Sequence, residues 1–349
     1  MGDFLESFLE SEKKCEGLRT LKCMERKNCL QHIKDLSKRT SFLRGSRQIV
    51  CKVTPYNSKE KITLGDYVNE VLEEKGEWRE FFEQDRVVDE LKSIEGTLNE
   101  EFGKGYGIFP SRHNIFRIFK LLSPSEVKVV ILGQDPYVSV VSTMPDQTKR
   151  GCNYSKSNDF VFETSEEDTF PAACGLAFSS PLDNVRPSLR NIMEEVKRTE
   201  GAYSVKPSGD LMSWVSQGVF LLNVLLTCRT EEGEKGVKGR SKSHTMWKGF
   251  AIHVLNYLSE KNDNMVLMFW GNEAIEIGGA IIPKHPHLES SHPVSRGKNN
   301  TFIGNGHFRR CREILLKNTG FCIDWKLDNL IYDSMYCCSK KDFPKCKLY

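Results

Sequence analysis

The chain has 349 residues, of which 39% are apolar and 28% are charged, so it can bury a core and is neither wholly disordered nor collagen-like. Its net charge of +3 excludes a strongly basic, histone-like protein, and any contact with nucleic acid must therefore come from a local patch. No stretch approaches the roughly 18 apolar residues that a membrane span needs, and at about 150 residues per domain the length predicts two domains or one domain with extensions.

Residues 1–60 are rich in charged and polar residues and predict an N-terminal extension that is partly disordered or helical. The first residues carry acids and no apolar segment, which predicts neither a secretory signal nor a transit peptide. The chain has 12 cysteines but no Cys-x-x-Cys pair, so we expect reduced thiols in an intracellular protein and no structural zinc site.

Helical periodicity begins after this extension. Residues 62–82 predict one helix with polar faces, and residues 86–102 predict a second. The second helix places four apolar residues at helical spacing, namely Val88, Leu91, Ile94 and Leu98.

Four short runs, the first three of them apolar, then alternate with helical segments. The runs predict buried strands at residues 127–133, 218–223, 265–271 and, more weakly, 288–292. The helical segments are residues 187–199, 248–259, 273–278 and 307–318. This alternation predicts an α/β fold, a three-layer sandwich in which a short, about four-stranded parallel sheet is flanked by helices.

Two segments interrupt or follow this pattern. Residues 138–174 are polar and contain Pro145, Gly151 and Pro171, which predicts a surface insertion, and residues 328–349 predict a polar tail. The folded domain is therefore expected to span residues 61–327.

Polar side chains follow the predicted strands where ligands bind in parallel sheets, beyond the carboxyl ends. Asp135 and Tyr137 follow the first strand, Asn223 ends the second, and His292 ends the fourth. Taken alone, each also fits a structural role, since Asp-Pro begins many turns, asparagine caps helices and a loop histidine needs no function. Together they predict a site for a polar, planar ligand with acid–base or electrostatic chemistry.

Several motifs in order resemble the uracil-DNA glycosylases of the uracil-N-glycosylase family, over a region from about Trp78 to Trp325. The motifs are EFGKGYGIFP at 101–110, GQDPY at 133–137, GLAFSSP at 175–181, RPSL at 186–189, GDLMSWVSQGVFLLNVLLTCR at 209–229, WGNEAIEIG at 270–278, SHP at 291–293 and DWKL at 324–327.

The resemblance implies that a deoxyuridine is rotated out of DNA into a pocket and that its N-glycosidic bond is hydrolysed there. It implies two catalytic residues. Asp135 would stabilise the oxocarbenium-like sugar and orient the attacking water, and His292 would donate a hydrogen bond to uracil O2 as charge builds there.

The same resemblance implies the residues that select the base. Asn223 would read N3 and O4 of uracil, Tyr137 would exclude the methyl group of thymine at C5, and Phe178 would stack on the ring. Backbone N–H groups around Gln134 would face the uracil carbonyl groups.

Three features depart from the family pattern. Val138 replaces a histidine that usually follows the tyrosine, and the link from Tyr137 to Gly175 is much longer than usual. An ungapped match of the His292 loop places Arg296 where the family has a leucine that wedges into the vacated base stack.

The resemblance further implies contacts with DNA, no metal and no cofactor. The residues expected to contact DNA are Ser188, Asn272, Ser295, Arg296 and Lys298, with Arg309 and Arg310 as additional basic residues. The expected partner is uracil-containing single- or double-stranded DNA, and replication or repair proteins could bind the N-terminal extension or the 138–174 insertion. A monomer in the nucleus, or at the site of viral DNA replication, is expected from this function.

Two other functions remain open at this point. One is a DNA-binding replication or processivity accessory protein on the same fold with weak or no glycosylase activity, which the extensions and the altered loop favour slightly. The other is a mismatch thymine glycosylase, which Tyr137 disfavours.

Overall fold

The structure, a computed structural model, describes residues 61–138, 172–180, 186–201, 209–230, 241–279, 284–295 and 301–326, and the backbone of four short strands at 51–53, 140–141, 160–162 and 170–171. Predictions for residues 1–50, for Arg296 and Lys298, and for the tail 328–349 lie outside these residues.

The strands pair into one parallel sheet and three smaller units. In chain order they are β1 (Cys51–Val53), β2 (Gly107–Phe109), β3 (Val129–Gly133), β4 (Val140–Val141), β5 (Phe160–Phe162), β6 (Phe170–Pro171), β7 (Val219–Asn223), β8 (Cys228–Thr230), β9 (Ser241–Ser243), β10 (Val266–Trp270) and β11 (His287–Ser290). The main sheet has the order β11-β10-β3-β7, a second sheet has the order β2-β8-β9, and β1 pairs with β5 and β4 with β6.

Helices alternate with these strands. The α-helices are α1 (Leu64–Glu74), α2 (Arg79–Phe82), α3 (Asp85–Gly103), α4 (Arg117–Leu121), α5 (Pro187–Glu200), α6 (Met212–Val215), α7 (Lys248–Lys261), α8 (Asn272–Gly278) and α9 (His307–Thr319). Short 3-10 turns lie at Gly76–Trp78, Arg112–Asn114, Pro124–Glu126 and Thr245–Trp247.

The four-stranded sheet is parallel throughout and flanked by helices, which confirms the predicted fold class. Every residue of β3 and β10 is buried, as expected for central strands that helices cover on both faces. Gly133 pairs with Asn223, and Trp270 pairs with Ser290. The carboxyl ends of all four strands therefore meet along one rim.

Buried aromatic rings hold the helices against the sheet. One cluster surrounds Trp78 and contains Phe81, Phe82, Phe119, Phe220 and Tyr257. Another surrounds Trp270 and contains Phe178, Phe302 and Phe308. The indole N–H of Trp270 donates to Nδ1 of the buried His307, so this ring is fixed where it supports Phe178.

The structure corrects three details of the sequence interpretation. The helix predicted at 62–82 is interrupted, because the backbone leaves the helical conformation at Lys75 just before Gly76. In α3 the buried stripe begins at Val87 rather than at Val88, which lies about 100° farther round the helix and is only partly buried. The antiparallel sheet β2-β8-β9 was not predicted, since its strands are short and β9 is polar.

The end of the predicted surface insertion belongs to the core. Ala172, Ala173 and Cys174 are buried, although the sequence places them in the polar segment 138–174. They lead directly into the turn that carries Phe178.

Candidate active site

A pocket with about 410 Å³ of empty space, its open mouth included, lies at the carboxyl ends of β3 and β7. Its lining is Ile115, Ile118, Asp135, Pro136, Tyr137, Ala173, Gly175, Leu176, Phe178, Ser179, Leu221, Leu222, Asn223 and Leu226. The pocket thus combines an apolar wall with one carboxylate, one amide and one phenol. These are the three polar groups that the sequence places at the ends of predicted strands.

Asp135 is fixed by a residue that the sequence did not reveal. Its carboxylate accepts a hydrogen bond at Oδ2 from the hydroxyl of Ser243, the last residue of β9. The pairing of Ser243 with Cys228 on β8 brings this hydroxyl to the pocket. Among the side chains that the structure describes, none donates a hydrogen bond to Oδ1 of Asp135. A hydroxyl that holds one carboxylate oxygen sets the direction of the other.

Next to the pocket, His292 lies two residues beyond the end of β11, and its ring centroid is 6.0 Å from that of Phe178. The backbone N–H of Val294 donates to Nδ1 at 3.3 Å, so the neutral imidazole carries its hydrogen on Nε2. Burial lowers the pKa of His292, and the charge of Asp135 offsets part of this change. At neutral pH the ring is therefore an uncharged donor through Nε2.

Tyr137 and Phe178 form one wall of the pocket. The phenol of Tyr137 donates to the backbone carbonyl of Phe178 at 3.0 Å and lies 2.9 Å from the hydroxyl of Ser188. Burial raises the pKa of Tyr137 to about 12, so the phenol keeps its hydrogen. Phe178 has a left-handed φ of 64°, a conformation that costs a non-glycine residue of order 1–3 kcal/mol. Such local strain is typical of residues held in place for a function.

Asn223, the last residue of β7, presents its amide to the pocket beside Gly133. A methyl group built on Gly133 would lie 2.5 Å from Oδ1 of Asn223 and 3.0 Å from Cβ of Ala177. Gly133 is therefore required for space and not for its backbone angles. The neighbouring Gln134 has an exposed side chain, and its carbonyl accepts from the N–H of Leu225 at 2.9 Å.

We expect Gly133→Ala to displace the Asn223 amide and to lower kcat/KM about a hundredfold, because both neighbouring contacts are too close to absorb the new methyl group. Steady-state kinetics measure the effect. Gly96→Ala is the matched control, since it adds the same methyl group in open space on α3. Unchanged kinetics in Gly133→Ala would show that the position of this amide does not matter.

One helix, α5, holds three parts of the site through residues on one face. Ser188 contacts Tyr137, Asn191 donates from Nδ2 to the carbonyl of Pro293 at 2.7 Å, and Glu195 accepts the backbone N–H groups of Gly304 and Gly306. Arg198 also pairs with Glu195. Burial acts to raise the pKa of Glu195, but the hydrogen bonds from Arg198 and the two glycines hold it below its usual range.

The base of the His292 loop is closed by a reciprocal pair of hydrogen bonds. Ser291 N–H donates to Oγ1 of Thr301 at 3.0 Å, and Thr301 N–H donates to Oγ of Ser291 at 2.9 Å. The loop between them carries Pro293, which Asn191 fixes. The backbone is thus anchored on both sides of His292.

The residues expected to contact DNA differ from one another in exposure and in their contacts. Asn272 is exposed at the start of α8, and Ser295 N–H closes a turn onto the carbonyl of His292. Ser188 is buried, and its hydroxyl lies against Tyr137. Arg309 donates to the carbonyl of Thr199 at the end of α5, which gives it a structural contact.

In the part of the chain that the structure describes, no group of three or more histidine, cysteine, aspartate or glutamate side chains is arranged to hold a metal ion. None of the described helices is both long enough and apolar enough to cross a membrane.

Comparisons with known proteins agree on one family. The family model described as the Uracil DNA glycosylase superfamily matches residues 119–316. A uracil-DNA glycosylase of Francisella tularensis subsp. tularensis is 32% identical over 251 residues, which cover 72% of this chain and 98% of that protein. That of Francisella tularensis subsp. novicida is 31% identical with the same coverage.

Solved structures give the same result. The crystal structure of mimivirus uracil-DNA glycosylase is 28% identical, with a TM-score of 0.55, and the match covers 72% of this chain and 87% of that one. A variant of mimivirus UNG in complex with UGI is 27% identical, with a TM-score of 0.57 and coverage of 72% and 89%.

Proposed function

The chain belongs to the uracil-DNA glycosylase superfamily, and we propose that it hydrolyses the N-glycosidic bond of a flipped-out deoxyuridine with the side chains of this pocket. It is a monofunctional DNA glycosylase that releases uracil and leaves an abasic site, the first step of base-excision repair. The observation that carries the assignment of residues is their convergence. Asp135, Tyr137, Phe178 and Asn223 line one pocket, and the neutral His292 lies beside it.

Asp135 acts on the sugar. As the bond between C1′ and the uracil nitrogen breaks, its electron pair leaves with the base and C1′ becomes cationic. The carboxylate stabilises this cation, and its free oxygen orients a water molecule. The water oxygen then bonds to C1′, and its proton is lost to solvent or to the departing base. Ser243 keeps the carboxylate in one orientation throughout.

His292 acts on the leaving base. Negative charge grows on uracil O2 as the bond breaks, and a fixed donor aimed at that charge is worth about 3–4 kcal/mol. Nε2 supplies the donor, since Nδ1 already accepts from Val294. A neutral imidazole suffices because it needs only to donate a hydrogen bond and not to transfer its proton.

The other residues select the base. The amide of Asn223 donates to O4 and accepts from N3–H, a pattern that cytosine does not present. Tyr137 occupies the space that the thymine methyl group would need, Phe178 stacks on the ring, and backbone N–H groups near Gln134 face the carbonyl groups. Stacking contributes about 1–3 kcal/mol per base.

Further residues of the chain would contact the DNA backbone. Asn272, Ser295, Arg296 and Lys298 would contact the backbone, and Ser188 would do so through its N–H rather than its hydroxyl, which Tyr137 engages. Arg296 would fill the gap left by the flipped nucleotide. The chain would act as a monomer in the nucleus, or at the site of viral DNA replication, with replication or repair proteins bound through the N-terminal extension or the insertion.

The accessory-protein alternative has less support. It predicts a pocket that has lost its chemistry, whereas the five side chains of the proposed site are all present, and hydrogen bonds hold those of Asp135, His292 and Tyr137. Tyr137 likewise disfavours a thymine glycosylase, because two hydrogen-bonding partners hold its ring in the pocket wall.

The test is release of free uracil. We expect the purified full chain to release uracil from a single-stranded oligonucleotide with one deoxyuridine, and to do so fully in the presence of a metal chelator. Chromatography of the free base measures the product, and an oligonucleotide with thymidine at the same position is the control. DNA binding without release of uracil would favour the accessory protein, and loss of activity in the chelator would overturn the prediction that no cofactor is needed.

A further inference from the structure

Ser188 lies in the first turn of α5, and its side chain contacts Tyr137 in the pocket wall. It is 6% exposed, and its hydroxyl lies 2.9 Å from that of Tyr137. The direction of this hydrogen bond follows from the second contact of Tyr137. The phenol has one hydrogen, and the carbonyl of Phe178 can only accept, so that hydrogen belongs to the Phe178 bond. Ser188 therefore donates to the phenol oxygen.

The two bonds hold the far edge of the Tyr137 ring from both sides. One partner is a helix residue and the other is the backbone of the residue whose ring forms the next part of the wall. The phenol thereby fixes its own ring and also ties down the strained turn that carries Phe178. Burial raises the pKa of Tyr137 to about 12, which keeps this donor–acceptor pattern intact across the neutral range.

We propose that Ser188 is a specificity-determining residue, which acts through Tyr137 to keep 5-substituted uracils, thymine among them, out of the pocket. This proposal rests on the function proposed above, in which Tyr137 blocks the space at C5. A steric block discriminates only as strongly as it resists displacement. Without Ser188 the phenol oxygen loses one of its two anchors, and the ring can turn away from a substituent at C5.

The contact also separates two possible roles for Ser188. A hydroxyl that binds a DNA phosphate would affect the binding of every substrate equally, whatever group the base carries at C5. A hydroxyl that fixes the C5 wall affects substrates according to the size of the group at C5. The hydrogen of Ser188 is already used inside the protein, which favours the second role.

The experiment compares Ser188→Ala, Tyr137→Phe, the double variant and Tyr137→Ala in the full chain. The substrates are single-stranded oligonucleotides with deoxyuridine, 5-fluorodeoxyuridine or thymidine at one position. We expect Ser188→Ala to reduce the preference for uracil over the 5-substituted bases about five- to tenfold, the factor that corresponds to one neutral hydrogen bond. Tyr137→Phe should give a similar reduction, and the double variant should be no worse than the more affected single variant.

Two further variants keep the result interpretable. Ser188→Thr retains the hydroxyl and should restore the preference. Ser213→Ala removes an equally buried hydroxyl on α6, outside the pocket lining, and should leave the preference unchanged. Near-ultraviolet circular dichroism of each variant checks that the aromatic core is folded.

The outcomes distinguish this proposal from the one on which it rests. If Tyr137→Ala releases no thymine, Tyr137 is not the gate and the proposed base selection is wrong. If Tyr137→Ala releases thymine but Ser188→Ala keeps the full preference, the role of Ser188 is overturned alone. A uniform loss of affinity for all substrates in Ser188→Ala, with the preference for uracil unchanged, would assign its hydroxyl to a phosphate.

Discussion

Asp135→Asn is expected to lower the rate of uracil release by at least a thousandfold while DNA binding is retained. The amide has nearly the same shape as the carboxylate but no charge, so it cannot offset the positive charge that develops on the sugar. Its oxygen can still accept a hydrogen bond from Ser243, which keeps the side chain in place. The loss should therefore appear in kcat, with little change in the affinity for uracil-containing DNA.

Single-turnover release of uracil and a binding titration measure these two quantities separately. Asp89→Asn, which removes a carboxylate from the exposed face of α3, is the matched control and should behave as the unmodified chain. A near-normal rate in Asp135→Asn would show that the charge of this carboxylate is not needed and would refute the mechanism.

Replacement of His292 by alanine should have the second largest effect. It removes the Nε2 donor to the leaving base, and the loss of one such donor lowers kcat about a hundred- to a thousandfold. His287→Ala removes an exposed histidine from β11 and is the control. Equal activity of the two variants would show that His292 has no special role.

The pH dependence tests the charge state of His292. Its pKa is lowered by burial, so the ring stays neutral through the neutral range and gains a proton only when the pH falls below the ordinary histidine range. Protonation places a hydrogen on Nδ1 and breaks the contact with Val294. The activity that depends on His292 should therefore be constant from pH 7 upward. A rise in that activity on acidification from pH 8 to 6 would instead indicate a charged ring.

The central elements could be predicted because each depends on a local pattern. Short apolar runs marked three strands of the main sheet and a weaker run marked the fourth. The rule that ligands bind beyond parallel strands selected Asp135, Asn223 and His292. The family resemblance added Phe178, which no periodicity marks. Its position depends on a tight turn with a left-handed residue, which phenylalanine rarely occupies.

The supporting contacts could not be predicted, because they join residues that are distant in the chain. Ser243 reaches Asp135 across 108 positions, and Asn191 reaches Pro293 across 102. A serine in a polar three-residue strand and an asparagine on a helix have no distinctive pattern. Such contacts follow only from the completed fold, in which strand pairing and helix packing set the distances.

The three contacts of α5 have a consequence for how the enzyme can change. Ser188, Asn191 and Glu195 are three and four positions apart, so they lie along one side of the helix. A single residue inserted between Ser188 and Asn191 would rotate Asn191 and Glu195 by about 100° relative to Ser188, so the three side chains could no longer face the site together. A point substitution along this side removes one contact, whereas a change in helical phase would separate the contact with the phenol from those with the imidazole loop and the glycine turn. Insertions and deletions should therefore be confined to the segments on either side of this helix.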